Sequence, residues 1–353
     1  MNKHAERLAK IVEAFPKVTV TVLGDLVADE FVFGEIARVS REAPVLILRH
    51  REREVVPGGA ANAVYNLADL GVSVLPVGVV GDDEAGRMLL QRFRKKRIPL
   101  SGIQKVKGHP TVTKTRILAG FPHSARQQVV RVDFEPEGAP PNSVLRKLVS
   151  SARQYVRVSD ALLVSDYGYG AATPEILFNV RSAATDCPVT VDSRHRMLEY
   201  TGVTAATPNE PEVEEALGIR IGHDVAQLEA AGKQLLRRMG LQALVVTRGK
   251  DGMAVFARGH KSVNIPVHGS GQVTDVTGAG DTVNATFGLA LAAGASFYEA
   301  ARLANYAGGL VVMKRGTATV SSRELADAVS SDHDTTTEHW SQEGPPQGRR
   351  TES

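Results

Sequence analysis

Short runs of apolar, β-branched residues recur along this chain, separated by segments with helical periodicity. Five of the runs are typical of buried strands: VTVTVLGD, VSVLPVGVVG, ALLVSD, PVTVD and ALVVTRG, at residues 18–25, 72–81, 161–166, 188–192 and 243–249. Strands that alternate with helices favour a mostly parallel central sheet with helices on both faces. The sequence therefore predicts an α/β fold.

Two other regions alternate apolar and polar residues without a helical period, which is typical of strands with one solvated face. The first, residues 30–56, predicts a small β-sheet lid built from short strands. The second, residues 111–135, either completes that lid or forms an antiparallel edge of the central sheet. Residues 1–330 are predicted to form one domain. Residues 331–353 are polar, with almost no aliphatic side chains, and predict a disordered tail.

Charge and cysteine content limit the partners and the compartment. The chain has 42 Lys and Arg residues against 39 Asp and Glu residues, a net charge of +3, whereas nucleic-acid binding needs a concentrated basic face. The basic run 92–97 ends a predicted helix, where cations complement the dipole.

The single cysteine, Cys187, favours a reduced compartment. The apolar stretch 286–313 is interrupted by charges and is no membrane span. We expect a cytoplasmic protein that binds neither nucleic acid nor membrane.

The segment DVTGAGDT, residues 275–282, leads directly into a long apolar helix. Its small residues Gly278, Ala279 and Gly280 allow the backbone to approach a ligand, and their N–H groups at a helix N-terminus attract an anion. Asp281 next to such a site could accept a proton from a hydroxyl that attacks a phosphoryl group. Alternatively, Asp281 only caps the first turn. The GxxxxGK[ST] and GxGxxG motifs are absent, which disfavours P-loop and Rossmann nucleotide binding.

The segment DVTGAGDT, together with PGGAAN at residues 57–62, resembles the two signatures of the PfkB, or ribokinase-like, carbohydrate kinases. TPNEPE at 207–212 and TRGKDG at 247–252 resemble two further motifs of that family, in the same order along roughly the first 325 residues. The resemblance implies a ribokinase-like fold, a phosphotransferase with an alcohol acceptor, and ATP and Mg²⁺ as cofactors.

Within the family, several segments are most similar to the kinases that phosphorylate the anomeric hydroxyl of D-glycero-D-manno-heptose 7-phosphate in nucleotide-heptose synthesis. These segments are residues 38–45, 57–62, 113–116, 127–134, 304–305 and 314–317. Only the kinase half of the bifunctional enzyme is expected. Arg41 replaces a Pro of that pattern, and Asp192-Ser-Arg-His195 replaces D-P-K-G, so a fructokinase-like, ribokinase-like or cyclitol kinase remains an alternative. A sugar- or nucleotide-sensing protein without catalysis is a third.

The resemblance also implies roles for single residues. Asp281 would be the general base, and the N–H groups of Gly278, Ala279 and Gly280 would stabilise the transferring phosphoryl group. Asn209 and Glu212 would organise Mg²⁺ and its waters, although both could instead belong to a helix-starting cap.

Nucleotide and monovalent-cation positions follow in the same way. The residues implied at the ribose and adenine are Thr247, Gly249, Gly252 and Asn305, of which the two glycines could equally be hairpin residues. Those that match a site for a monovalent cation such as K⁺ are Asp275, Thr277 and Gly316. A turn held by Asp275 is the alternative there.

The acceptor pocket is the third set. The residues that match the sugar site are Asp25, Asp29, Gly58, Gly59 and Asn62. Candidate cations for the phosphate of a sugar phosphate are Lys114, Arg116, Arg131 and Arg194, and solvated surface charge is the alternative for each of these. We also expect a homodimer that forms through the partly apolar lid.

Overall fold

The computed structural model describes residues 3–120, 126–185, 187–269, 274–314 and 316–331. Its helices are α1 (Lys3–Ala14), α2 (Ala60–Asp69), α3 (Glu84–Lys95), α4 (Asn142–Val156), α5 (Pro174–Arg181), α6 (Glu210–Leu217), α7 (Val225–Arg238), α8 (Ala279–Ala292), α9 (Phe297–Val312) and α10 (Ser322–Ser331). Its strands are β1 (Thr19–Gly24), β2 (Leu26–Val39), β3 (Leu46–Gly59), β4 (Ser73–Gly81), β5 (Ile103–Val106), β6 (Thr113–Gly120), β7 (Gln127–Phe134), β8 (Ala161–Asp166), β9 (Val189–Ser193), β10 (Ala205–Ala206), β11 (Ala243–Thr247), β12 (Met253–Ala257) and β13 (Val263–Ile265).

The central sheet has the strand order β13-β12-β11-β10-β9-β8-β1-β4-β5. The strands from β11 to β5 pair in parallel, while β12 and β13 add an antiparallel hairpin at one edge. One hydrophobic core lies between the sheet and α1, α2, α3, α8, α9 and α10, and a second contains buried residues of α4, α5 and α7. The prediction of a mostly parallel sheet with helices on both faces is confirmed.

A second, four-stranded sheet has the order β3-β2-β6-β7 and forms the lid. The prediction of short strands in residues 30–56 is wrong in length, because β2 and β3 each have 14 residues and pair from Leu26 with Gly59 to Val39 with Leu46. The prediction missed the ends of the hairpin because the start of β2 and the end of β3 are buried on both faces, where apolar and polar residues no longer alternate. Residues 111–135 complete this sheet rather than an edge of the central one, since β6 pairs with β2.

Several features place a functional site at one end of the central sheet. Parallel strands direct their carboxyl ends to the same edge, where α/β proteins bind ligands. Asp25 follows β1 there, Tyr167 follows β8 and Arg194 follows β9. Both α2 and α8 begin near this edge: the Ala60 N–H donates to the carbonyl of Asp25, and the Tyr167 hydroxyl donates to Asp281. The lid joins the body at the same place through the start of β2 and the end of β3.

The apolar stretch 286–313 forms the second half of α8 and all of α9, which pack against each other inside the first core. Within the described ranges, no helix is both long and apolar enough to cross a membrane. The basic run falls at the end of α3, with Arg92, Arg94 and Lys95 in the last turn. The predicted tail begins at Ser331, the last residue of α10, and its other residues, 332–353, lie outside the described residues.

Candidate active site

Asp281 lies in the first turn of α8 and is 3% exposed. The Tyr167 hydroxyl donates a hydrogen bond to its Oδ1 at 2.7 Å, and the Asn62 amide donates to its Oδ2 at 3.1 Å. Both donors come from other elements, whereas the capping interpretation requires donors from the first turn of α8. The carboxylate is therefore held from two sides at the end of the central sheet.

Burial raises the pKa of Asp281 to about 7. The hydrogen bonds from Tyr167 and Asn62 and the charge of Lys114 oppose that rise, and the negative charge of Asp29 adds to it. A carboxyl group with a pKa near neutral pH is suited to accept and return a proton. This pKa is compatible with the predicted role of Asp281 as general base, and that role stays a prediction.

The N-terminus of α8 requires glycine at its cap. Gly278 has φ +79°, and a Cβ there would lie 2.5 Å from the Asn62 Nδ2 atom. The first helical hydrogen bond runs from the Thr282 N–H to the Gly278 carbonyl, at 3.1 Å. The Ala279 N–H donates to the Val276 carbonyl at 3.3 Å, so of the three predicted donors this one already has a partner. A Cβ at Gly280 would meet no atom within 4 Å, so this residue borders open space.

A polar cavity of about 270 Å³ lies beside Asp281. Its lining includes Asp166, Tyr167, Asp192, Arg194, Thr207, Asn209, Glu212, Thr247, Gly278 and Gly280. Burial raises the pKa of Asp192, and the charges of Glu212, Asp281 and Asp166 raise it further. Burial also raises the pKa of Glu212. Carboxylates are thus crowded at a cavity with few cations, an arrangement that a bound cation would relieve.

Asn209 and Glu212 form the capping box that their spacing also allowed. The Glu212 N–H donates to Asn209 Oδ1 at 2.8 Å, and the Asn209 N–H donates to Glu212 Oε2 at 2.9 Å. The helix-starting cap is therefore present at α6. Both residues line the polar cavity as well, so the cap and a role at a metal are compatible, and the metal role stays a prediction.

The cavity suits a magnesium ion that keeps most of its waters. In the described part of the chain, no group of three or more His, Cys, Asp or Glu side chains is placed to hold a metal ion by itself. The hydroxyl of Thr207, whose side chain is buried, has no hydrogen-bond partner among the described residues. Carboxylates and an unused hydroxyl around this cavity match the oxygen ligands of Mg²⁺, which takes few protein ligands and keeps several waters. Asn209, Glu212 and the neighbouring Asp192 could hold it.

An apolar cavity of about 180 Å³ adjoins the polar one, and Thr247 and Gly280 line both. Three more predicted nucleotide residues line it, namely Gly249, Gly252 and Asn305, together with Met253, Val267, Val276, Val283 and Val312. The structure thus brings all four nucleotide positions together. An apolar slot with a few polar groups suits a flat heterocycle such as adenine. Gly249 and Gly252 have positive φ and lie between the antiparallel strands β11 and β12, so the hairpin interpretation also holds.

The lid contributes charged side chains next to Asp281. Arg116 forms a part-buried ion pair with the buried Asp29. A Cβ at Gly58 would lie 2.4 Å from the Asp29 Oδ2 atom, so glycine leaves room for that carboxylate. Lys114 is 8% exposed, and its Nζ lies 5.4 Å from the centre of the Tyr167 ring. Burial lowers the pKa of Lys114, and the charge of Arg194 lowers it further.

The remaining predicted acceptor residues differ in their surroundings. Asp25 is buried, and its carboxylate accepts hydrogen bonds from the N–H groups of Tyr167, Tyr169 and Ala171, at 2.8, 3.1 and 2.9 Å. Burial raises its pKa to about 6 despite these bonds. The backbone of Gly59, with φ +55°, packs against Tyr167. Contact of these residues with a sugar stays a prediction.

Two of the four predicted phosphate-binding cations are exposed. Arg131 on β7 pairs with Asp133 two residues along the same strand, at 2.7 Å. Arg194 is exposed at the mouth of the polar cavity. The structure therefore divides the four cations into a less accessible pair, Lys114 and Arg116, and an exposed pair, Arg131 and Arg194.

At the predicted monovalent-cation position, Asp275 Oδ1 accepts the Thr277 N–H at 2.9 Å. This bond forms the turn that was the alternative interpretation. Asp275 and Gly316 line a common cleft under the lid, while residues 270–273 and 315 lie outside the described ranges. The role of these residues at a cation stays a prediction.

Sequence reasoning assigned no role in the site to Tyr167, nor to Asp192 and Thr207, although these two lie in segments that it named. Tyr167 follows β8, Asp192 lies near the end of β9, and Thr207 follows β10, so all three lie at carboxyl ends of parallel strands. The rule that singled out Asp25 at the end of β1 could have found them. Asp166, which also lines the cavity, pairs with Arg196 and accepts a hydrogen bond from Tyr200 at 2.8 Å.

Comparison with known proteins connects this site to a family. A family model described as pfkB family carbohydrate kinase matches residues 26–324. The bifunctional protein HldE of Geobacter sulfurreducens is 41% identical over 321 residues, which are 90% of this chain and 64% of that protein. The bifunctional protein HldE of Aeromonas salmonicida is 38% identical over 322 residues, which are 91% of this chain and 66% of that protein. The chain thus spans slightly less than two thirds of their length.

Solved structures share the fold at low identity. Arabidopsis thaliana ribokinase, complexed with ribose and ATP, has a TM-score of 0.68 and 20% identity, over 88% of this chain and 98% of that one. Escherichia coli phosphofructokinase-2, in complex with potassium, has a TM-score of 0.69 and 17% identity, over 89% and 98%. These likenesses confirm the ribokinase-like fold. Because the family model covers most of the sequence, the chain belongs to the pfkB family of carbohydrate kinases.

Proposed function

We propose that the protein transfers the γ-phosphoryl group of ATP to the anomeric hydroxyl of D-glycero-D-manno-heptose 7-phosphate. The observation that carries this proposal is the placement of Asp281, a buried carboxylate between an apolar cavity and the cationic side of the lid. The segments that resemble heptose 7-phosphate kinases, and the similarity to the HldE proteins, support this acceptor. The product would enter nucleotide-heptose synthesis.

In this proposal Asp281 accepts the proton of the acceptor hydroxyl while that oxygen bonds to the γ-phosphorus and the bond from phosphorus to ADP breaks. The N–H groups of Gly278 and Gly280 at the start of α8 stabilise the negative charge of the transferring group. The apolar cavity binds adenine next to Thr247, Gly249, Gly252 and Asn305. Bound at Asn209 and Glu212, magnesium supplies positive charge that offsets the phosphates.

The lid supplies the recognition of a phosphorylated sugar. Asp29, Gly58, Gly59 and Asn62 face the sugar hydroxyls in this proposal, and Lys114 and Arg116 lie next to them. Arg131 and Arg194 add two exposed cations, which in this proposal meet the phosphate at the far end of a seven-carbon sugar. A free sugar would leave the buried charge of Lys114 without an anion from the substrate, which disfavours it.

Two further parts of the proposal concern a cation and assembly. A K⁺ ion at Asp275, Thr277 and Gly316 is supported by the similar fold of phosphofructokinase-2 solved with potassium. A homodimer is supported by the exposed edge strand β7, whose Val129, Val130, Val132 and Phe134 are 41% to 53% exposed. An exposed edge strand with apolar groups on both faces is a site for contact with another chain, and the lid of a second copy has the same surface. We expect the protein to act in the cytoplasm, where ATP is available, without nucleic acid or membrane.

The test is ATP-dependent release of ADP with heptose 7-phosphate, other sugar phosphates, free sugars and cyclitols as acceptors. Heptose 7-phosphate should give the highest kcat/KM, and Asp281→Asn should lower kcat by about 10³-fold or more. Turnover of an unphosphorylated sugar without turnover of heptose 7-phosphate would contradict the acceptor. Binding of ATP and sugar with no turnover of any acceptor would instead favour a sensing protein.

A further inference from the structure

Tyr167 follows β8 at the carboxyl end of the central sheet and is half-buried against the polar cavity. Its hydroxyl lies 2.7 Å from Asp281 Oδ1. Burial, followed by the charges of Asp281 and Asp192, raises the pKa of this phenol well above its usual range. The hydroxyl therefore stays protonated at every physiological pH and acts as a donor to Asp281.

We infer that Tyr167 is a positioning residue, which orients the Asp281 carboxylate by a hydrogen bond and is itself held by Asp25. The inference rests on the proposed function for its catalytic meaning. The hydrogen bonds themselves do not depend on that function: Tyr167 donates to one lone pair on Asp281 Oδ1, and Asn62 donates to one on Oδ2. Two donors on opposite oxygens fix the rotation of the carboxylate, and each oxygen keeps one lone pair for a proton.

The backbone around Tyr167 is held in turn by a buried carboxylate. Asp25 accepts the N–H groups of Tyr167, Tyr169 and Ala171, and its two oxygens thereby fix the loop that follows β8. A Cβ at Gly59 would lie 3.3 Å from the Tyr167 Cε2 atom, so the glycine allows the ring to pack closely. Asp25 thus acts on the base through Tyr167, a role other than direct contact with the sugar.

The hydrogen bond also affects the charge of the base. A donor to the ionised carboxylate favours that form and opposes the effect of burial. Other charged groups face Asp281 as well: Asp29 and Lys114 from the lid, Asp192 from β9 and Glu212 from α6. Tyr167 differs from them because it contacts the carboxylate directly. Removal of its hydroxyl should therefore leave more of Asp281 protonated near neutral pH.

The first test is Tyr167→Phe, which keeps the ring and removes the donor. We expect kcat to fall about 10- to 100-fold, with KM for ATP and for the acceptor changed less than about threefold. The acid limb of the kcat–pH profile should move up by about half a unit to one unit. Tyr155→Phe is the matched control, because its hydroxyl bonds Ser101 at 2.6 Å, away from the site. Asp25→Asn should lower kcat without a large rise in acceptor KM, and should add little to Tyr167→Phe.

The second test needs no activity. Denaturant midpoints are measured at pH 5 and pH 8 for four proteins: the parent, Tyr167→Phe, Asp281→Asn and the double variant. Loss of the donor should enlarge the drop in midpoint from pH 5 to pH 8, and this extra drop should vanish in the Asp281→Asn background. Parent-like pH dependence of both stability and kcat in Tyr167→Phe would overturn the inference. If the expected stability shift appears but no acceptor is phosphorylated by the parent, the proposed function fails and the contact stands.

Discussion

Asn62 Nδ2 lies 3.1 Å from Asp281 Oδ2, so the first turn of α2 contacts the first turn of α8 across 219 residues of sequence. The same amide lies 3.1 Å from the Gly278 carbonyl, and Asn62 Oδ1 accepts a hydrogen bond from Asn66 at 3.0 Å. One buried side chain therefore joins the PGGAAN segment to the GAGD segment and fixes the helix whose N-terminus faces the cavity.

Replacement of Asn62 by alanine should weaken both the site and the fold. Two donors to buried acceptors are lost, which costs about 1–3 kcal/mol of unfolding free energy. We expect kcat to fall about 10- to 100-fold because the Asp281 carboxylate loses one of its two donors. Denaturant unfolding and steady-state kinetics measure the two effects. Asn179→Ala is the control, since that side chain is exposed on α5, and an equal loss in it would contradict the prediction.

The contact between these segments shows what sequence reasoning could and could not predict. Each segment has its own signal: glycines for close approach of the backbone, and a carboxylate at the start of a helix. The family resemblance predicts that both belong to the site. It does not predict that Asn62 bonds Asp281, because a pairing across 219 residues depends on how α2 and α8 pack on the sheet. Tyr167 was missed for the same reason.

Strand lengths and edges were harder to predict than strand positions. The run 161–166 coincides with β8. All six residues are buried; the first four are apolar, and Ser165 and Asp166 end the strand. The lid strands were predicted too short, since the alternating pattern ends where β2 and β3 enter the body and become buried on both sides. Strand β10 has only two residues, too few for any periodicity to appear.

Gly280→Ala should separate function from stability. A Cβ at this position meets no atom within 4 Å, so the fold accommodates it, and alanine in a helix is more stable than glycine by up to about 1 kcal/mol. The new methyl group would occupy the space shared by the polar and apolar cavities. We expect kcat/KM for ATP to fall about 10-fold or more at unchanged or slightly raised stability.

Kinetics and denaturant unfolding of Gly280→Ala test this expectation, with Gly138→Ala as the matched control. A Cβ at Gly138 also meets no atom within 4 Å, and this exposed glycine precedes α4. Parent-like ATP kinetics in Gly280→Ala would mean that the phosphates do not pass this point of the helix.

The pH dependence of stability follows from the raised pKa of Asp281. Its pKa is about 7 in the folded protein and about 3.9 when unfolded, so the folded state binds the extra proton between these values. Its contribution to stability is complete below about pH 4 and is lost as the pH rises through 7. Asp281→Asn removes this titration and should be more stable than the parent at pH 8, by on the order of 1–3 kcal/mol.

At pH 4 the difference between Asp281→Asn and the parent should be small, because both side chains are neutral there. Unfolding by urea at pH 4, 6 and 8 measures it. Asp327→Asn on α10 is the control, since that side chain is 74% exposed and should show no such trend. A constant difference across the three pH values would contradict a raised pKa at Asp281.

Lys114 should distinguish phosphorylated from free acceptors. Its ammonium is buried beside Tyr167 and Asp29, and methionine keeps the length of the side chain without the charge. We expect Lys114→Met to raise KM for heptose 7-phosphate about 10-fold or more, with KM for ATP nearly unchanged. Lys105→Met is the control, because that lysine is half-exposed on β5 and pairs with Asp82. An increase of KM for ATP alone would assign Lys114 to the nucleotide instead.

The lid edge should control assembly. Val132 on β7 is 41% exposed in a row with other exposed apolar residues, and a glutamate there would place a charge in the proposed lid-to-lid contact. We expect sedimentation to find a dimer for the parent and a monomer for Val132→Glu, because an unpaired charge buried at an interface costs several kcal/mol. Val158→Glu, at a valine that is 68% exposed beyond the end of α4, should leave the dimer intact. A monomeric parent at concentrations of tens of micromolar would contradict the proposed dimer, and the exposed edge of β7 would then need a different partner.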